Sequence, residues 1–278
     1  MNGNRKTILI TGASSGIGRA TAEYLSHHGF SVYGGVRDEK DFQELVNVPN
    51  VSPIYLDVTI EKTIQDAFHH IKEQNTELYG LVNNAGIARA GPLMDLPIQD
   101  LREQFEVNLF GIHRVTKSFF PLLKKSKGRI IMISSDSGFF ATPFFGPYCA
   151  SKFALEGYSD SLRRELLLCD MKLVLIQPGR VATPIWDKGK ELLKREIQSI
   201  FTPYAKKLGE YAIEKGKSEG LNPKEVSRVI YKALTKKNPK LRYLIAPSTL
   251  KYRLIKILPE RWVDKLVSKE FKEIEENL

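Results

Sequence analysis

The sequence predicts an α/β fold: a doubly wound parallel sheet of about seven strands with helices on both sides, stacked as three α/β/α layers. Three observations carry this. Short β-branched runs alternate with longer amphipathic segments along most of the chain. The first run, Lys6–Thr11, is apolar almost throughout, as a buried strand is. A glycine-rich turn, Gly12–Gly18, then separates that strand from a helical segment. Strands joined by crossover helices lie parallel and gather ligands at their carboxyl ends. No linker, repeat or low-complexity tract divides residues 1–278, which read as one domain.

The elements follow in order. After the Gly12–Gly18 turn, residues 19–28 form a helix that Gly29 stops. Ser31–Val36 is a second strand, residues 38–46 a helix, and Val51–Asp57 a third strand. Residues 61–74 form a helix before the fourth strand, Tyr79–Asn83. One long helix is expected at about 99–124, a fifth strand at Arg129–Ser134, a helix at 147–168 and a sixth strand at Lys172–Gln177. Residues 184–220 make an apolar-rich segment after strand six, and Tyr243–Ala246 is a last short strand. An amphipathic tail, broken by Pro259, fills 249–278.

Composition bounds the function. A chain with 42% hydrophobic and 27% charged residues is an ordinary soluble globule with ample core. No apolar stretch approaches a membrane span, and no secretory signal precedes the first strand, so a cytoplasmic protein is expected. Cys149 and Cys169 give no disulfide framework, which fits a reducing compartment. The net charge of +10 is lopsided: residues 186–278 carry 22 Lys and Arg against 13 Asp and Glu. No paired Cys/His cluster and no aromatic-rich basic strand accompany it, so neither a metal site nor nucleic-acid binding is expected. The excess reads as a solvated face.

Two motifs carry chemistry. In Thr11-Gly-Ala-Ser-Ser-Gly-Ile-Gly18, Gly12 turns the backbone, Gly16 admits a pyrophosphate and Gly18 lets helix and strand pack closely. The helix start offers N–H groups and a positive dipole to phosphates. Tyr148 and Lys152, four apart on a predicted helix, share one face. An ammonium beside a phenol favours the phenolate and draws its pKa down, making a proton-transfer pair from two inert groups.

The loop resembles the Thr-Gly-x-x-x-Gly-x-Gly loop of the short-chain dehydrogenase/reductase family. Further matches follow in the family's order over about residues 5–185: Leu56-Asp57-Val58, Asn83-Asn84-Ala85-Gly86, Asn108, Ser135, Tyr148 with Lys152, and Pro178 to Thr183. The stretch from Tyr148 to Glu156 looks most like the 17β-hydroxysteroid and retinol dehydrogenase branch. The resemblance implies a Rossmann-type fold and a hydride transfer to or from nicotinamide. Tyr148 would exchange a proton with the substrate oxygen, Lys152 would hold the ribose and the phenol's charge, and Ser135 would hold the substrate oxygen. Ser134 and Ser137 lie nearby, but Ser135 alone stands thirteen residues before the tyrosine. Asn108 would perturb its helix and hold a relay water. Cofactor contacts would come from Gly12, Ser14, Ser15, Gly16, Ile17 and Gly18. Asp57 and Val58 would meet the adenine, with Asn84, Ala85 and Gly86 beside the ribose and Asn83 mainly structural. Pro178, Gly179, Val181 and Thr183 would flank the carboxamide.

At the end of strand two, where NAD-binding chains place a carboxylate, this chain has Val36 followed by Arg37. A guanidinium there suits a 2′-phosphate, so NADP(H) is favoured. Asp38 keeps NAD(H) open. Phe139, Phe140, Phe144 and Phe145 should flank the reacting carbon, under a lid over residues 184–220 that carries Ile185, Trp186, Leu193, Ile197, Ile200, Phe201 and Tyr204. Such a pocket suits a lipophilic alcohol or ketone of steroid, retinoid or long-chain type. Family resemblance suggests a homodimer or homotetramer through the helices at 99–124 and 147–168. The tail aligns Leu250, Leu254 and Leu258 on one face and Val263, Leu266, Val267, Phe271 and Ile274 on another. Docking on the protein itself or on a partner subunit is favoured over peripheral membrane contact. The alternative to an enzyme is a catalytically silent dinucleotide-binding regulator or scaffold.

Overall fold

The computed structural model describes residues 5–74, 77–193, 199–247 and 258–276. Its strands are β1 (Thr7–Ile10), β2 (Ser31–Val36), β3 (Val51–Tyr55), β4 (Leu78–Asn83), β5 (Arg129–Ile133), β6 (Lys172–Pro178) and β7 (Arg242–Ile245). They form one sheet in the order β3-β2-β1-β4-β5-β6-β7, and every pairing is parallel. The chain winds outward from β1 to β3, then crosses back to β4 and winds the other way. That reversal opens a crevice at the carboxyl ends of β1 and β4.

The described helices are α1 (Gly16–His27), α2 (Glu39–Val46), α3 (Glu61–Glu73), α4 (Ile98–Phe105), α5 (Ile112–Lys125), α6 (Gly146–Glu165), α7 (Ile185–Leu193), α8 (Thr202–Ser218), α9 (Pro223–Thr235) and α10 (Glu260–Glu275). One core layer joins Ala22 and Leu25 of α1, Leu45 of α2 and Ile230 of α9 to Ile8, Val32 and Val174 of the sheet. The other joins Ile64 of α3, Phe119 of α5 and Leu155 of α6 to Leu9, Leu81 and Leu175. Neighbouring strand residues thus bury to opposite faces, which is why the strands are apolar throughout.

Four departures from the sequence reading have local causes. The expected helix over 99–124 is three pieces, because Glu106–Gly111 widens into a π segment between α4 and α5. The third strand stops at Tyr55, and Asp57 instead organises the following turn. Its carboxylate accepts from Thr59 N at 2.8 Å and Thr59 Oγ1 at 2.7 Å. The helix expected to 168 ends at Glu165 and tightens into a 3-10 turn over Leu166–Cys169. Helix α9 had no counterpart in the sequence reading. Val226, Ile230, Ala233 and Leu234 are its fully buried stripe, and Ser227 Oγ hydrogen-bonds Thr21 of α1 at 3.1 Å.

The tail divides. Leu250 and Leu254 lie outside the described residues. In α10, Ile274 is buried, and the Phe271 ring lies 5.7 Å from Tyr204 of α8 and 6.0 Å from Phe144. The described tail therefore docks on its own chain. Leu266, expected on that inner face, is 62% exposed on the outside. Among the described residues no helix is long and apolar enough to cross a membrane.

Candidate active site

The glycine loop leaves β1 beside the crevice. Gly12 and Gly16 adopt φ of +64° and +56°, a region that side chains disfavour. A Cβ on Gly18 would lie 2.1 Å from the Gly12 carbonyl oxygen, so only glycine lets α1 start this close to the strand. Ser15, the N-cap of α1, makes no side-chain capping bond, so its hydroxyl does not occupy the helix's first N–H groups. This is an anion cradle, and it fits a pyrophosphate.

Neighbouring strand ends close around it. Thr11 Oγ1 accepts from the N–H groups of Asn84 and Ala85, both at 3.0 Å. Asn84 Nδ2 returns bonds to the carbonyls of Thr11 and Gly12, at 3.0 and 2.9 Å. Asn84, expected beside the ribose, thus spends its side-chain amide N–H groups on shaping the loop. Asn83 Nδ2 donates to Thr116 Oγ1 at 2.9 Å, tying β4 to α5. Ala13 N donates to Gly35 O at 2.9 Å, which brings the loop against the end of β2. There Arg37 is exposed and makes no ion pair among the described residues, while Asp38 Oδ1 accepts from Asp41 N at 2.9 Å as the N-cap of α2.

On the far side, Thr183 comes within 3.1 Å of where a Gly16 Cβ would sit. Gly179 N donates to Ile245 O at 2.8 Å, and the Val181 carbonyl accepts Trp186 Nε1 at 2.7 Å. That second bond ties α7 to the end of β6. Val58 is 6% exposed and packs under Gly111 of the π segment, so its side chain is core. Any contact with an adenine would be made by its backbone. Ser14 and Ile17 are half-buried along the loop, Ser15 is exposed, and Gly86 faces Asn108 Oδ1.

The catalytic candidates converge where β5 ends. Ser135 follows β5, and its hydroxyl donates to Asp136 Oδ1 at 2.8 Å and accepts from Ser137 N at 3.1 Å. Tyr148 and Lys152 occupy successive turns of α6, with the Lys152 ammonium 5.5 Å from the phenol ring centre. Lys152 Nζ donates to the Ile133 carbonyl at 2.8 Å. The Phe145 ring packs 4.6 Å from the Tyr148 ring, centre to centre.

Burial pushes the Tyr148 phenol well above its usual range, and a hydrogen bond with Ser135 pulls the other way. The lowering expected from Lys152 is not among the causes of this shift: desolvation dominates, with the Asp136 charge adding to it, and the phenol stays protonated at neutral pH. Burial also brings the Lys152 ammonium down to about 8, against the opposing pull of Glu156. Asn108 is fully buried in the π segment, where it clasps Ile87. Its Oδ1 accepts from Ile87 N at 2.9 Å, and its Nδ2 donates to Ile87 O at 3.0 Å and Ser151 Oγ at 3.2 Å. The side chain therefore holds the β4 loop, and any water relay would use the Asn108 backbone. Thr11 and Glu156 stood inside quoted motifs without a role. Thr11's position at the strand end, beside a loop needing acceptors, was the available signal.

The short chain dehydrogenase family matches residues 6–193. The chain is 35% identical over 284 residues to the NADPH-dependent 3-dehydrocapnine reductase of Ornithobacterium rhinotracheale, covering 96% of this chain and 97% of that protein. It is 34% identical to the 3-ketodihydrosphingosine reductase of Bacteroides thetaiotaomicron, over 86% and 87% of the two chains. A short-chain dehydrogenase structure from Streptomyces avermitilis superposes with a TM-score of 0.80 at 25% identity, covering 100% of this chain and 99% of that one. The sheet order agrees with these matches, and the chain belongs to the short-chain dehydrogenase family, as an NAD(P)-dependent oxidoreductase acting on alcohols and carbonyl compounds.

Proposed function

We propose that this chain is an NADP(H)-dependent oxidoreductase that interconverts a lipophilic alcohol and its ketone or aldehyde, with Tyr148 as general acid–base group. The observation that carries the reading is the meeting of Tyr148 and Lys152 at the end of β5 beside Ser135, with the Lys152 ammonium 5.5 Å from the phenol ring centre and held on Ile133 O at 2.8 Å. The bound nicotinamide supplies or accepts the hydride. The chain's own groups do the rest. Ser135 fixes the substrate oxygen, and the Tyr148 proton is delivered to it as negative charge develops during reduction. Lys152 keeps an N–H on Ile133 O, and its remaining N–H groups would hold the ribose hydroxyls of the bound cofactor. Gly12 to Gly18 hold the pyrophosphate, and Thr183 closes over Gly16.

NADP(H) is supported by the exposed Arg37 and by Asp38 being engaged in capping α2, and one relative is named as NADPH-dependent. A lipophilic substrate is supported by the aromatic wall next to Tyr148. Phe145 packs on the phenol, and Phe144, at φ +61°, points its ring toward Phe201 and Phe271 at 6.5 and 6.0 Å. A non-glycine residue held in the left-handed region is strained, and such strain gathers at binding sites. One relative is named for a 3-keto compound, 3-ketodihydrosphingosine. Self-association through the α4–α5 stretch and α6 fits the exposed rings of Phe110, in the π segment before α5, and Phe153 of α6, 49% and 46% accessible. A screen of steroid, retinoid and long-chain ketones for NADPH oxidation tests the reading. Turnover of at least one class supports it, and turnover confined to small hydrophilic carbonyls contradicts the substrate class.

A further inference from the structure

Helix α6 carries more than a catalytic pair. Tyr148, Lys152, Glu156 and Asp160 recur every fourth residue and form one stripe along it. The proposed reaction uses the first two. Glu156, one turn behind Lys152, has a side chain only 12% exposed. A carboxylate so nearly buried is costly unless its oxygens are satisfied. Both are. Gln177 Nε2 donates to Oε1 at 2.9 Å, and Arg242 Nε donates to Oε2 at 2.9 Å. Arg242 Nη2 also reaches Asp160 Oδ2 at 3.0 Å, and Arg163 reaches the other oxygen of Asp160 at 3.4 Å.

The partners come from three directions. Gln177 is in β6, one residue before the Pro178–Thr183 stretch, and Arg242 opens β7. A Cβ on Gly138 would sit 3.0 Å from Glu156 Cγ and 2.8 Å from Ser134 Oγ, so the serine-bearing loop packs directly on this carboxylate. Lys152 holds the start of the same loop through Ile133 O, and Glu156 abuts its end. Ser135 lies between them.

We propose that Glu156, clamped by Gln177 and Arg242, is a positioning residue for the catalytic pair: it locks α6 against the Ser134–Gly138 loop and sets a fixed negative charge one turn behind the Lys152 ammonium. Among the described residues, Cys149 and Arg163 lie beside the stripe on α6, with Asp136 on the loop after β5, Gln177 on β6 and Arg242 on β7. Glu156 is the group that opposes the desolvation of Lys152. Removing its charge leaves desolvation unopposed, so the ammonium gives up its proton at lower pH.

The inference rests on the assignment of Tyr148 and Lys152 to the reaction. The test is the pH profile of kcat/KM for carbonyl reduction in Glu156→Gln and Glu156→Asp. In Glu156→Gln the alkaline limb should move down by about one pH unit, with activity at pH 6 within a few-fold of wild type. Glu156→Asp keeps the charge, and its limb should return toward the wild-type position. A carboxylate serving packing alone would lower kcat at every pH without moving the limb, and that result overturns the proposal. Should Glu156→Gln fail to fold, Glu156→Ala takes its place with the same expected downward limb, and a limb displaced by more than half the expected unit in Glu156→Asp, where the charge is kept, contradicts the proposal. Inactivity of wild type toward every carbonyl tested would strike the functional assignment instead.

Discussion

At the scale of single residues, the site depends on which groups the fold leaves unspent. Arg37 is exposed without an ion pair among the described residues, next to a loop bonded to the end of β2, while the neighbouring Asp38 caps a helix. A guanidinium meeting a phosphate contributes charge-assisted bonds of about 1.5–3 kcal/mol. Arg37→Ala should therefore lower kcat/KM for NADPH by roughly 10- to 100-fold and leave that for NADH nearly unchanged. Equal losses with both cofactors would remove Arg37 from the 2′-phosphate. Tyr148 teaches a related lesson. Its spacing from Lys152 was legible in the sequence, but the balance between an ammonium's pull and the cost of burial was not. Burial pushes the phenol up, and Lys152 is not among the groups that pull it down, so the phenol is protonated.

At the scale of elements, the site is a set of strand ends bonded to one another. The loop after β1 is shaped by Thr11 and Asn84 across β4, and Gly18 sits where any side chain would meet backbone. Gly18→Ala should cost about 1–3 kcal/mol through overpacking, lowering Tm and weakening cofactor binding at least tenfold. Isothermal titration and thermal melting read both, and unchanged values would mean that α1 can shift without loss. The strands were legible because runs buried on both faces are apolar throughout. The π segment was not, since Glu106–Gly111 reads as ordinary helix and is widened by the clasp of Asn108 on Ile87, a contact between residues twenty-one apart. Helix α9 had a clear apolar stripe at Val226, Ile230 and Ala233, so its signal lay in the sequence unused. Gln177, in the sequence only the end of the sixth strand, acquires meaning beside Glu156 and Arg242, which the fold brings together.

At the scale of the whole molecule, a doubly wound sheet brings the glycine loop after β1 and the cluster of Ser135, Tyr148 and Lys152 after β5 to the carboxyl ends of its strands. Phe201, the N-cap of α8, and Phe271 of α10 lie against Phe144, one of the aromatic residues that follow β5. Phe110 of the π segment and Phe153 of α6 are exposed, and a charge there should oppose association. Phe153→Asp is expected to shift a dimer or tetramer toward monomer in size-exclusion chromatography with light scattering, and an unchanged mass would place the subunit interface elsewhere. The central claim is that Tyr148 delivers the proton during carbonyl reduction. The most direct test is Tyr148→Phe, with NADPH-dependent turnover and NADPH binding measured on the same preparation. Turnover should fall by about 10²- to 10⁴-fold with the dissociation constant for NADPH changed by less than threefold, whereas turnover retained within tenfold of wild type would contradict the account.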